Sequence, residues 1–379
     1  MTAHERVKLG EAVSNRNDFV SDIKSRHDRL VAGEHIDEGA LAIRRWAFTD
    51  DELVPPTFNR RFHAGDVLLH SRNVRKLAVP RFDGVTGEKL FILHPANGHI
   101  VDSDFIVGLL LSDAFERHLA RSVRGSVNKF LNWKQLAAFD FALPTPDAQR
   151  RVAEAFRATQ RVLDALASAG NDLTTVRAVL RKRHFREAGW PMVPVGEVAA
   201  VRNGTTPRRK EPGYWGGDIP WLPTGKVHDR RIGVADEHIT RRALAECSLS
   251  IVPAGSVLVA MIGQGKTRGS AAYLEIDATT NQNFASVTPG PSLDGEFLFH
   301  ALSASYGGLR RASQGSNQGA LNCRLVAAFS VPLPQLPVQR KVARQLNAVD
   351  GALDEVAAHI ESTRDLQRRA LSKLLERTQ

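Results

Sequence analysis

Cysteine is scarce. Cys247 and Cys323 are the only two in 379 residues, which excludes a disulfide framework and suggests a reducing compartment. No apolar run approaches the roughly 20 residues that cross a bilayer. The opening MTAHERVKLGEAV has the pattern of neither a signal peptide nor an amphipathic transit sequence, so a cytoplasmic protein without membrane contact is expected. Signatures of chemistry are missing as well: the chain holds no H-E-x-x-H, paired C-x-x-C, EF-hand or G-x-S-x-G. The glycine-rich cofactor loop and N-P-P-Y base pocket of a methyltransferase are absent, and Pro146-Asp147 lacks the D/E-x-K of a restriction-type nuclease. His63, His70, His300 and His359 stand isolated and read as structural or solvated rather than as metal ligands. No cofactor and no catalysis are expected.

What the chain has instead is a repeat. Residues 143–186 return at 333–379, and aligning Pro144 with Pro334 sets an offset of 190 residues. Over 125–164 that offset gives 16 identities in 40 positions, among them Leu131/Leu321, Asn132/Asn322, Phe139/Phe329 and Gln149/Gln339. Each copy reads as an extended segment, a proline in the first helical turn (Pro146, Pro337) and one long helix. Apolar residues recur at Val342, Leu346, Val349, Leu353, Val356 and Ile360, a heptad seam. The first copy follows with Val152, Phe156, Leu163, Leu166, Leu173, Val176 and Leu180. Thr159 and Gly170 are its weak points, and Gly170 suggests a local bend. Two such seams either bury each other or each pack on a neighbouring domain; the first is the simpler arrangement.

The repeat extends outward. Leu9-Gly10-Glu11 answers Val195-Gly196-Glu197, and the predicted strand in 63–72 answers that in 253–262, with Gly65 and Gly255 again 190 apart. Residues 104–123 read as one helix, with 295–313 as the counterpart. The expected fold is α+β: two mixed α/β domains, 1–145 and 188–334, separated by two long antiparallel coiled-coil-like helices, 146–187 and 335–379, related by a pseudo-twofold axis.

Charge points to a polyanion partner. The formal net charge is +10 and the pI about 9.9, with basic clusters at 72–76, 181–186 and 207–210. The loops differ more than the scaffold. Residues 201–227 are rich in glycine and proline, with Tyr214, Trp215 and Trp221 among Arg208, Arg209 and Lys210, a mixture suited to phosphates and bases. Residues 15–35 occupy the corresponding place with no such pattern. Either the two domains read different things, or redundant copies have drifted. The nearest approach to a catalytic motif is IGQGKTRG at 262–269. A phosphate-binding loop needs glycine where Ala260 stands, and SAAYLEI after it reads as a strand rather than a helix. Lys266, Thr267 and Arg268 then become candidates for DNA phosphates from a flexible loop.

With the duplicated PLP-x-helix unit, GTTP at Gly204, GDIPWL at Gly217, TNQNFASVTP at Thr280 and GALN at Gly319, the sequence resembles the specificity subunits of Type I restriction-modification systems. The resemblance covers nearly the whole chain and is strongest over 193–379. It implies a subunit with two target-recognition domains, each reading half of a bipartite double-stranded DNA site. It also implies helices that set the spacing and dock methyltransferase subunits, two in number, which recruit restriction/translocase subunits. Two departures stand out: Ala148 and Val338 replace the family's glutamate before Gln149 and Gln339, and the first domain lacks G-x-T-P. Asn and Gln read adenine, and Arg guanine, in the major groove. The expected DNA contacts in the second domain are therefore Thr205, Thr206, Arg208, Arg209, Lys210, Tyr214, Gln264, Lys266, Thr267, Arg268, Asn281, Gln282, Asn317 and Gln318. In the first they are Arg72, Asn73, Arg75, Lys76, Arg124, Asn128 and Lys129. The alternatives are a nucleotide-binding enzyme using Gly265, Lys266 and Thr267, or a coiled-coil adaptor that binds no DNA.

Overall fold

A computed structural model of the chain describes residues 5–51, 53–55, 57–122, 130–263, 265–313 and 320–376. Its contacts divide the chain into two compact units, residues 1–168 with 357–379 and residues 169–356. Both divisions fall inside long helices, Pro146–Lys182 and Leu336–Glu376, so each unit contains part of each helix. The fold is mixed α/β.

In the first unit a four-stranded antiparallel sheet runs Val13–Asn15, Leu90–Pro95, Val67–His70, Leu77–Ala78. A second sheet runs Ala47–Phe48, Arg29–Val31, Gly84–Thr86, Arg60–Phe62, with its central pair parallel. The second unit repeats this plan. Ala199–Asn203, Phe284–Pro289, Val257–Ala260 and Ala271–Leu274 lie in the same order, extended by Arg231–Ile232. Glu237–Ile239, Trp215–Leu222 and Thr279–Thr280 form the smaller sheet. Leu30 and Val31 pair in parallel with Val85 and Thr86 as Trp221 and Leu222 pair with Thr279 and Thr280. Segments with no visible sequence kinship thus carry the same strands. The stretch 201–227, expected as a loop, holds the eight-residue strand Trp215–Leu222, whose last two side chains are buried.

The repeated motifs do the same local work in both units. Gln149 is 1% exposed; its Nε2 donates to the carbonyls of His99 (2.8 Å) and Pro144 (3.0 Å), and its Oε1 accepts the Val101 N–H (3.1 Å). Gln339 does this with Ser292 (3.0 Å), Pro334 (2.7 Å) and the Asp294 N–H (2.8 Å). One side chain therefore satisfies three backbone groups where the strand turns into the helix. Gly10 and Gly196 recur for lack of room: a Cβ would lie 2.7 Å from that of Ala137 and 3.1 Å from that of Ala327.

Two helical expectations need correction. Residues 104–123 form two helices, Ser103–Leu110 and Asp113–Ser122. At the break Ser112, 1% exposed, donates its hydroxyl to the Leu109 carbonyl (2.7 Å) and accepts the Phe115 N–H (3.3 Å), which starts the next helix. The counterpart divides likewise into Gly295–Ala304 and Tyr306–Ala312. On the long helices Val152, Phe156, Leu163, Val342 and Leu346 are buried, but Val176 is 46% exposed. The 4-3 spacing through Leu166, Gly170 and Leu173 leads to Arg177, whose guanidinium meets Asp350. The helix runs unbroken through Gly170, where a Cβ would stand 3.5 Å from Val356 Cγ1. Among the described residues no helix is long and apolar enough to cross a membrane.

Candidate nucleic-acid interface

In the second unit the expected contacts gather around the turn after Thr279–Thr280. Gly204 packs directly on the Thr280 backbone, and Thr205 N–H donates to the Thr280 carbonyl (2.9 Å). This brings GTTP beside Gln282, whose Oε1 accepts the Thr206 hydroxyl at 2.7 Å. Gln282 is exposed. Its neighbour Asn281 is not a surface reader: it is 8% exposed, its side chain lies 2.9–3.0 Å from the Thr224 hydroxyl, and its Oδ1 accepts the Asn283 N–H (3.1 Å). The amide that looked like an adenine reader instead holds the short 3-10 helix Thr224–Asp229 against the sheet.

That 3-10 helix leads to the next candidates, since His228 Nε2 lies 3.2 Å from Thr267 Oγ1. Residues 265–268 of this loop are held by side chains of the Tyr306–Ala312 helix. Arg310 donates from Nη1 to the carbonyls of Gly265 (2.7 Å) and Arg268 (3.3 Å), and the Tyr306 hydroxyl donates to that of Lys266 (3.1 Å). Gly263 (φ +116) and Gly269 (φ +82) make the reversals that connect strand to strand. A strand, Ala271–Leu274, follows the loop where a phosphate-binding loop would open a helix, so the nucleotide-binding alternative has no support. Lys266 is exposed and Arg268 half-buried.

The basic aromatic stretch divides in two. The Arg209 guanidinium lies over Trp215 (4.1 Å) and Trp221 (4.8 Å) and is bound by Glu237. Tyr214 donates its hydroxyl to Glu246 (2.7 Å), a hydrogen bond that pushes the phenol pKa up, and Arg242 lies over its ring. Both side chains are partnered within the second unit. Arg208 and Lys210 are exposed and have no hydrogen-bond or ion-pair partner for their side chains among the described residues.

In the first unit Arg72, Asn73, Arg75 and Lys76 form the turn between Val67–His70 and Leu77–Ala78. His70 Nδ1 accepts the N–H groups of Arg72 and Asn73, both at 3.1 Å. Burial, helped by the charges of Lys76, Lys89 and Arg72, lowers the His70 pKa, which keeps that nitrogen an acceptor. Asn73 donates to Glu38 (2.6 Å) and Lys76 to the Gly33 carbonyl (2.6 Å), and both are half-buried. Arg72 and Arg75 remain exposed, and among the described residues neither guanidinium has such a partner. Arg124, Asn128, Lys129, Gln264, Asn317 and Gln318 lie outside the described residues.

Sequence reasoning missed Thr224, His228, Arg310 and Glu237, which touch the expected contact residues without resembling them. No local pattern marks these residues; only the fold brings them together. Among the described residues no three His, Cys, Asp or Glu side chains are grouped to hold a metal ion.

Residues 187–362 match the family model described as the Type I restriction modification DNA specificity domain. That match spans 176 of the 379 residues, somewhat under half of the chain. A Type I restriction enzyme specificity subunit from Methanocaldococcus jannaschii is 29% identical over 175 residues, covering 44% of this chain and 39% of that protein. Another, from Escherichia coli, is 21% identical over 222 residues, 55% of each. The chain therefore matches only about half, or less, of the length of these relatives. Likeness of fold extends throughout: the solved S subunit of a Type I system from M. genitalium superposes with a TM-score of 0.61 at 14% identity, covering 98% of this chain and 95% of that one. A solved chain of a type I R-M system gives 0.59 at 19% identity, covering 100% and 98%.

Proposed function

We propose that the chain is the non-catalytic DNA-recognition subunit of a Type I restriction-modification complex. Residues 1–145 and 188–334 each read one half of a bipartite double-stranded site. Residues 146–187 and 335–379 form an antiparallel coiled-coil spacer on which methyltransferase subunits dock, and restriction/translocase subunits join through them. The observation that carries this reading is one scaffold used twice with unpaired cations on dissimilar turns: Arg72 and Arg75 in one unit, Arg208 and Lys210 in the other. Exposed cations without protein partners are what phosphate neutralisation requires, and differing turns on a common sheet are what reading two unlike half-sites requires.

Exchanging 193–331 for the same segment of a relative tests this. Methylome sequencing of cells carrying the hybrid with its methyltransferase partner should show one half of the motif changed and the other kept; a change in both halves counts against independent reading. Without partner subunits, the chain should transfer no methyl group from labelled S-adenosylmethionine to DNA. The spacer is tested by inserting one heptad after Ser168 and one after Val356. This keeps the pairing of Gly170 with Val356 and of Thr159 with Gln367. Seven residues add about 10 Å at the α-helical rise, so the gap in the motif should lengthen by roughly 3 base pairs.

A further inference from the structure

The Thr224–Asp229 helix ends on Arg230, a non-glycine residue held at φ +61 and ψ −43. Such a conformation is sparsely populated and persists only where the surroundings enforce it. The enforcement here is visible. Arg230 N–H donates to the Val227 carbonyl (3.3 Å), and its own carbonyl accepts the Tyr273 N–H (2.7 Å). Its Nη2 donates to Asp350 Oδ2 at 2.7 Å. Asp350 is 9% exposed and belongs to the Leu336–Glu376 helix; its other oxygen accepts Arg177 Nη1 at 2.9 Å. Burial opposes the Asp350 charge, but the two guanidinium groups outweigh it and hold the carboxyl below its ordinary range. At its other end the same short helix carries Thr224, which fixes Asn281 beside Gln282, and next to its last residue comes His228, which touches Thr267.

We propose that Asp350 is a positioning residue for DNA reading by the second unit: by holding Arg230 it fixes the 224–230 segment, and with it Gln282 and Thr267. This rests on the DNA-reading function proposed above. Asp350 lies on the proposed spacer helix and makes no contact with a reading side chain itself. Its effect passes through Arg230 and the short helix. In the first unit the equivalent position is Gln160, whose Nε2 bonds its own helix at Asp164 (3.1 Å), so among the described residues Gln160 makes no such tether.

The test uses the full-length chain with the methyltransferase subunits of its host, selecting from a randomised duplex library. Two variants are compared with the natural chain. Asp350→Leu removes the carboxylate; Arg230→Gly removes the tether while glycine keeps the positive φ. Both should relax base preference about tenfold or more in the half-site assigned to the second unit by the segment exchange, the scale of one lost base contact, and leave the other half unchanged. Hydrogen exchange of the DNA-free chain should show faster amides at 224–230 and 265–268 in both variants. Asp350→Asn, which keeps an acceptor for one arginine, should fall between. A folded Asp350→Leu protein with both half-site preferences and the 224–230 protection intact overturns the proposal. If Asp350→Leu does not fold, Arg230→Gly decides alone by the same criteria. A natural chain that enriches no motif refutes the DNA-reading function, whereas the exchange data still decide whether Asp350 holds the segment.

Discussion

Where the first unit places neutral side chains between its two long helices, the second places charged ones. In the first, Gln367 donates to the Thr159 hydroxyl (2.8 Å). In the second, Arg177 meets Asp350 at 2.9 Å, and Asn347 continues the network to His300 (2.7 Å) and Glu296 (2.7 Å). The sequence offset aligns Gln367 with Arg177, so the same layer has diverged after duplication while Val152/Val342 and Phe156/Leu346 stayed apolar and buried. The apolar layers supply the burial common to both units. The polar layers are where one unit acquired a connection that the other lacks. A buried polar residue in a helical seam contributes more to register than to stability, so such layers are free to diverge.

The comparison breaks first at its strongest common point. Gln149→Ala and Gln339→Ala each leave three backbone groups unpaired, and each should lower unfolding free energy by about 3–5 kcal/mol in urea titrations. Unequal losses would show that the duplicated glutamines are not equivalent. Next, Asp350→Leu should cost about 3 kcal/mol because Arg177 and Arg230 lose their counter-charge, whereas Gln160→Leu should change stability by less than about 0.5 kcal/mol. Equal effects would remove the proposed asymmetry.

Acid should separate the units too. His300 is fully buried, and burial first, with the Arg181 and Arg230 charges, pushes its pKa down to about 4 against the opposing pull of Asn347 and Asp350. The unfolded chain takes up this proton near pH 6.5, the folded one only near pH 4. Stability is therefore intact above pH 6.5 and declines as pH falls from 6.5 to 4, by about 3 kcal/mol. The first unit has Gly108 at the equivalent helical position. His300→Asn should flatten this decline in thermal melts over that window; an unchanged slope would rule His300 out as its source. The smallest effects belong to the surface. Changing Arg72 or Arg208 to alanine should lower the slope of log affinity against log salt by about 1 each without altering the motif.

The duplication was legible because it rests on residues whose jobs cannot be shared out, such as Gln149/Gln339 with three backbone partners and Gly10/Gly196 against an alanine. The strand Trp215–Leu222 was not, because its glycines and prolines carry the signature of a loop. It pairs because Glu237–Ile239 and Thr279–Thr280 lie on either side of it. Ser112 was hidden in an apolar run whose periodicity continued across the break. Asn281 and Gln282 look alike in sequence, yet one is buried and the other exposed, because adjacent side chains leave a strand end in opposite directions. Asp350 gave no sign at all: a lone aspartate within a charged helix reads as solvent-facing until Arg230 arrives from 120 residues away.

The discontinuity of the first unit also bears on how the protein is made. Leu371 (1% exposed) and Leu375 (7%) fill the core that contains Phe105 and Val152, and Ser372 Oγ accepts the Asp113 N–H at 3.0 Å. These residues leave the ribosome after the whole of 169–356. At about 5–20 residues per second the wait between residue 168 and residue 371 is on the order of 10–40 s. During translation, the later-encoded unit is thus complete first, and the earlier one waits with part of its core open. A stop codon before Leu371 would leave the second unit whole and the first unfinished.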